Sequence, residues 1–150
     1  MGDCSKEIEN GLVKDYSYEE IKIGQTASFE VTITEKMRDM FREITGDVNP
    51  LHNDINYAKE LGHENCVAFG MLTASFLSTF AGVYLPGKKS LINSVETKFE
   101  RPVYIGDTIS IEGKVTDKND TYRLLDMKIL MKNQNGKKVC KAKMSVMVTE

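Results

Sequence analysis

Apolar and polar residues alternate along Thr26–Ile33, with Phe29, Val31 and Ile33 facing one way. That period of two predicts a half-buried strand. The period then changes to a helical one: Met37, Met40, Phe41 and Ile44 recur on one face, and Gly46 follows as a C-terminal cap. Asp47 to Asn53 reads as a loop around Pro50, and a short helix is predicted from a cap at Asp54 to about Gly62. From Gly70 to Leu85 the chain is apolar all round (Met71, Leu72, Ala74, Phe76, Leu77, Phe80, Ala81, Val83), which predicts a buried helix rather than an amphipathic one, ended by Pro86-Gly87.

Beyond it the alternation returns. Leu91 to Arg101 reads as a strand closed by Pro102. Ile109, Ile111 and Val115 mark another, Leu125, Met127, Ile129 and Met131 a third, and Cys140, Ala142, Met144, Val146 and Val148 a fourth. Asn133-Gln-Asn-Gly136 joins the last two as a hairpin. One apolar helix and several antiparallel strands must bury their faces on each other, so the expected class is α+β, a sheet wrapped around a long central helix. A free sheet edge calls for a second copy. Residues 1–15 read as a flexible extension and residues 16–150 as a single domain.

Composition narrows the function classes. With 41% hydrophobic residues and a net charge of -2, the chain has the apolar content to fold. Lys and Arg number 20 against 22 Asp and Glu, which disfavours nucleic acid as the partner. No run approaches the roughly 20 apolar residues of a membrane span, and the polar start lacks the apolar stretch of a signal peptide. Cys4, Cys66 and Cys140 are odd in number and widely spaced, fitting reduced thiols and a cytoplasmic location.

The chemistry concentrates in Gly46-Asp47-Val48-Asn49-Pro50-Leu51-His52. A carboxylate and an imidazole held by a proline-stiffened turn can share acid–base work near neutral pH. Gly70 opens the apolar helix, whose first N–H groups have no internal partner and can hold a developing oxyanion. Each residue also has a plainer reading. Asp47 and Asn49 can cap a turn through their side chains, His52 can be a core histidine, and Gly70 an ordinary helix start. Asp47-x-Asn49 opens like a calcium loop, but Leu51 and His52 stand at the next ligand and glycine positions, which ends that reading. His63-x-x-Cys66 lacks the further ligands of a structural zinc site.

Phe41-Arg-Glu-Ile-Thr-Gly-Asp-Val-Asn-Pro-Leu-His52 followed by Ala58 resembles the hydratase-2 motif of MaoC-like proteins, which include the (R)-specific enoyl-CoA hydratases of polyhydroxyalkanoate synthesis. The resemblance extends through Gly70-Met-Leu-Thr-Ala-Ser-Phe-Leu-Ser78, Pro86-Gly87-Lys88 and Phe99-x-x-Pro102-Val103-x-x-Gly106-Asp107, and so spans about Tyr16 to Val148. It implies a hot-dog fold, a homodimer, and an acyl-CoA thioester substrate hydrated at its trans-2 double bond to the (R)-3-hydroxyacyl-CoA, of short to medium chain. It further implies Asp47 and His52 as the catalytic pair, Gly70 as the oxyanion donor, and Asn49 and Ser78 as supporting or lining residues. Met71 and Leu72 join the expected pocket wall. No metal or redox cofactor is expected, because the thioester itself supplies the acidifying carbonyl.

One position departs from the family: Phe69 stands where a histidine usually precedes the Gly-Met-Leu. This puts the pocket wall, and with it substrate choice, in question more than the reaction. Lys88 and Lys89 can meet CoA phosphates or form a solvated loop, Cys66 reads as a structural thiol, and His63 is expected on the surface. Three other readings use the same scaffold: a 3-hydroxyacyl-carrier-protein or other acyl-thioester dehydratase with the same residues, a thioesterase that aims water at the carbonyl carbon, and a non-catalytic acyl-CoA-binding module. The Asp47/Asn49/Pro50/His52 set counts against the thioesterase, and the intact Asp47/His52 pair against the binding module.

Overall fold

The computed structural model describes residues 12–150. Five strands, β1 (Thr26–Thr32), β2 (Ser90–Phe99), β3 (Thr108–Asn119), β4 (Leu124–Lys132) and β5 (Lys138–Val148), form one antiparallel sheet in the order β1-β3-β4-β5-β2. Strict alternation sets its two faces. Ile109, Ile111 and Val115 on β3, Leu125, Met127, Ile129 and Met131 on β4, and Ala142, Met144, Val146 and Val148 on β5 are all buried. The hairpin between β4 and β5 closes where expected: Asn133 N–H donates to the Lys137 carbonyl (2.9 Å) and Gly136 N–H to the Asn133 carbonyl (2.9 Å).

Helix α1 (Glu35–Thr45) starts at Thr34, whose hydroxyl accepts from Met37 N–H, and stops at Gly46, whose positive φ lets its N–H return to the Arg42 carbonyl. Two short helices follow, α2 (Pro50–Asn53) and α3 (Ile55–Glu60). The sequence reading took the α2 segment as loop. Asn49 caps α2 through its side-chain oxygen and Pro50 stands at its first turn, where a missing N–H costs nothing.

The central helix differs from expectation. It is α-helical only over α4 (Gly70–Thr79), then widens into a π-helical turn, Phe80–Tyr84, in which Leu85 N–H donates to the Phe80 carbonyl (2.9 Å). The widening sets Phe80, fully buried, on β3 at Gly113, where a Cβ would come 2.2 Å from the ring. Nor is α4 buried all round. Leu72, Thr73 and Leu77 face the core, but Met71 is 65% exposed and Ser75 and Ser78 are exposed as well. The sheet covers one side of this helix and leaves the other open.

Of the predicted N-terminal extension, residues 1–11 lie outside the described residues. Residues just before Tyr16 are bonded to the domain: Lys14 N–H donates to the Val83 carbonyl (2.8 Å), Lys88 N–H to the Lys14 carbonyl (2.8 Å), and Asp15 pairs with Lys89 (3.1 Å). Cys66 and Cys140 are buried free thiols; Cys4 lies outside the described residues. Among the described residues no helix is long and apolar enough to cross a membrane.

The outer face of the sheet carries an unusual line of charge. Lys114, Lys128 and Lys143, all exposed, are direct cross-strand neighbours on β3, β4 and β5. At one edge, β2 pairs only with β5 and exposes Leu91, Ile92, Val95 and Phe99.

Candidate active site

The loop before α2 is built by short side-chain bonds. Asp47 accepts from Asn49 N–H (3.1 Å), and Asn49 accepts from Leu51 N–H (2.9 Å). The Asn49 carbonyl in turn receives the Asn53 amide (2.8 Å) and His52 N–H (3.1 Å). Arg42 on α1 reaches across to the Asn53 oxygen (2.7 Å) and so ties the loop to the helix that precedes it. Capping and catalytic readings of this loop are therefore compatible. Asp47 uses one carboxylate oxygen in the turn and still lines a cavity.

His52 is half-buried, and its Nδ1 lies 2.7 Å from the Val67 carbonyl oxygen. A carbonyl can only accept, so Nδ1 carries the proton and Nε2 is left with its lone pair in the neutral ring. The face of the imidazole rests on Phe69, centroid to centroid 4.3 Å, and Phe69 in turn meets Phe41 at 4.9 Å. A hydrogen bond and an aromatic wall thus orient the ring. Phe69 is 2% exposed. An apolar ring at that position belongs to this packed layer.

Asp47, His52, Phe69, Gly70, Met71 and Ser78 line one cavity of about 1090 Å3. Gly70 is the first residue of α4, and its N–H has no partner within the helix. The Phe99 ring lies over Gly70, where an added Cβ would meet it in ordinary contact at 3.4 Å. Two expected residues stand elsewhere. Asn49 is outside the cavity wall and acts as the cap of α2, while Leu72 is buried in the core.

Several lining residues have no counterpart in the sequence reading: Thr45, Ser75, Ile92, Val95 and Thr97. Val95, Thr97 and Phe99 are alternates on one face of β2, and Ile92 joins them because the register with β5 shifts between Ile92 and Ser94, an irregularity that sequence alternation does not announce. Lys88 and Lys89 do not line it; Lys89 is engaged with Asp15. His63 is half-buried rather than on the surface, because its Nδ1 is bonded to the Tyr104 hydroxyl (3.0 Å), a partner distant in sequence.

A family model described as MaoC like domain matches residues 19–137. An (R)-specific enoyl-CoA hydratase of Rhodospirillum rubrum is 38% identical over 99 residues, which are 66% of this chain and 69% of that one. The unliganded R-hydratase of Pseudomonas aeruginosa superposes with a TM-score of 0.86 at 30% identity, over 92% of this chain and 88% of the other. The (R)-hydratase of Aeromonas caviae involved in PHA biosynthesis gives 0.83 at 27% identity, over 87% and 98%.

Proposed function

The chain belongs to the MaoC-like domain family, and from that premise we propose that it adds water to trans-2-enoyl-CoA thioesters, giving (R)-3-hydroxyacyl-CoA, and runs the reverse dehydration. The observation that carries this reading is the convergence of Asp47, His52 and Gly70 on one largely apolar cavity. The thioester carbonyl accepts from the Gly70 N–H at the start of α4. As negative charge builds on that oxygen, the helix terminus stabilises it without having to reorganise. The Asp47 carboxylate and His52 Nε2 are both acceptors, so a water between them donates both protons and turns its oxygen lone pair toward C3. The new C–O bond forms at C3, one water proton passes to the acid–base pair, and C2 takes up a proton as the enolate collapses.

The working unit is a homodimer paired along β2. That strand has one unpaired edge and exposes Leu91, Ile92, Val95 and Phe99, three of which line the cavity. A second copy there would satisfy the edge and close the open side of the site. The test is hydration of crotonyl-CoA, followed as loss of enoyl-thioester absorbance, with the product configuration assigned by a stereospecific dehydrogenase. Formation of the (R)-3-hydroxy product is expected. Release of free thiol without hydration would overturn the reading in favour of thioester hydrolysis.

A further inference from the structure

Among the described residues two buried side-chain oxygens lack a hydrogen-bond partner, Oγ1 of Thr73 and Oγ1 of Thr97. Both belong to cavity walls. Thr97 lines the large cavity, and Thr73, 2% exposed, lines a second one of about 310 Å3. The two cavities meet at His52, Gly70 and Phe99, which line both. A buried hydroxyl left unpaired lowers stability, and folded proteins keep few of them. Other hydroxyls on these helices turn back onto the backbone: Ser75 donates to the Leu72 carbonyl (2.6 Å) and Thr45 to the Phe41 carbonyl (2.8 Å). Thr73 does not.

We propose that the smaller arm receives the amide-bearing pantetheine side of the acyl-CoA, and that the Thr73 hydroxyl is its hydrogen-bond partner there. The inference rests on the enoyl-thioester reading above. With the thioester carbonyl at Gly70, the acyl chain and the carrier arm leave in different directions, and the junction offers one cavity for each. Phe41, Phe69, Met71, Leu77, Ile92 and Val95 make the large arm suited to an alkyl chain. The small arm sets Thr73, His63 and Arg101 among apolar residues such as Leu51, Val67 and Val103, a mixed lining that suits a chain of methylenes and amides. Thr73 lies three residues after Gly70 on the same helix face, and helical side chains lean toward the N-terminus, so its side chain lies over the turn that Gly70 opens. Its own N–H is committed to the Phe69 carbonyl (3.2 Å), leaving the hydroxyl as the group on offer. An amide carries both a donor and an acceptor, and a hydroxyl can pair with either.

The test is binding of butyryl-CoA, a saturated thioester that cannot be hydrated, measured by calorimetry on the intact protein. Thr73→Val keeps the shape and removes the hydroxyl. Its dissociation constant should rise about 3- to 10-fold, the value of one ordinary hydrogen bond, while Thr73→Ser stays near the parent. The melting temperature of Thr73→Val should equal or exceed the parent's, since an unpaired buried group has gone. For crotonyl-CoA, KM should rise while kcat stays within about twofold, the signature of lost uniform binding. Unchanged binding in folded Thr73→Val, or equal weakening in Thr73→Ser, overturns the inference. Should Thr73→Val misfold, Thr73→Ala reads the same constant. Binding without hydration would count against the catalytic reading alone; hydration with unchanged Thr73→Val binding would count against this inference alone.

Discussion

At the scale of the residue, the proposed chemistry depends on two side chains oriented by different means, Asp47 by an Asx turn and His52 by its Nδ1 bond to Val67 and its contact with Phe69. Asp47→Asn keeps that turn and removes the base, and His52→Ala removes the second acceptor. Each should lower kcat by about 10²–10⁴-fold in steady-state hydration of crotonyl-CoA, with the melting temperature close to the parent's. Unchanged turnover in either folded variant would remove that residue from the mechanism. Asp47, His52 and Gly70 could be picked out in the sequence because each sits in a contiguous motif at an element boundary. Thr73 and Thr97 could not be. A threonine's missing partner is a property of the packed structure, and no local pattern announces it.

At the scale of the element, Asn49 shows how a residue outside the cavity still matters to it. Its side chain caps α2, the helix that carries His52, and its carbonyl holds Asn53, which Arg42 anchors to α1. Asn49→Ala should cost about 1 kcal/mol through the lost cap. In a chain of this size that shows as a fall of about 2–4 °C in a thermal melt, accompanied by lower kcat as the His52 turn loosens. Strands, α1 and the Asn-Gly hairpin were all legible from periodicity and caps. The division of the central helix into α4 and a π-helical turn was not, because in this run the small polar residues are scattered among apolar ones and carry almost no phase. The turn goes together with Phe80 seated against Gly113, a contact between residues far apart in sequence. The open face of α4 was hidden for the same reason: hydrophobicity reports a preference for burial, and a substrate cavity satisfies it as well as a core does.

At the scale of the whole molecule, the free sheet edge bears on assembly and two buried titratable groups bear on the response to pH. If β2 pairs with its copy, sedimentation should report a dimer, and Leu91→Lys combined with Ile92→Lys should yield monomers with reduced hydratase turnover. A parent that remains monomeric at assay concentrations and fully active would exclude the paired unit. Burial pushes the Cys140 thiol up to about 11, with the nearby Glu100 adding to it. Burial, together with a hydrogen bond to Asp120, pushes the Tyr18 phenol up to about 12. An unfolded chain releases both protons at lower pH, nearer 9 and 10, so it binds fewer protons than the folded protein in that window. Stability therefore falls as pH rises from about 9 toward 12. The urea midpoint should be lower at pH about 10.5 than at pH about 8, and a Cys140→Ala, Tyr18→Phe variant should show a shallower decline.

The line of Lys114, Lys128 and Lys143 across three neighbouring strands has a bearing on how copies can meet. Like charges directly opposite one another weaken a sheet, so this row is a standing cost to the monomer. Its effect outside the monomer is directional. Two outer faces brought together would set these lysines against one another, with Glu96 opposite Lys143 and Glu112 nearby offsetting part of the charge, whereas the β2 rims offer apolar side chains and vacant backbone groups. If copies of the chain pair along β2, the row favours sideways growth over stacking. Concentrated salt, which shortens the reach of surface charge to about 3 Å at 1 M, is the condition that would lift this restriction and let sheets pile face to face.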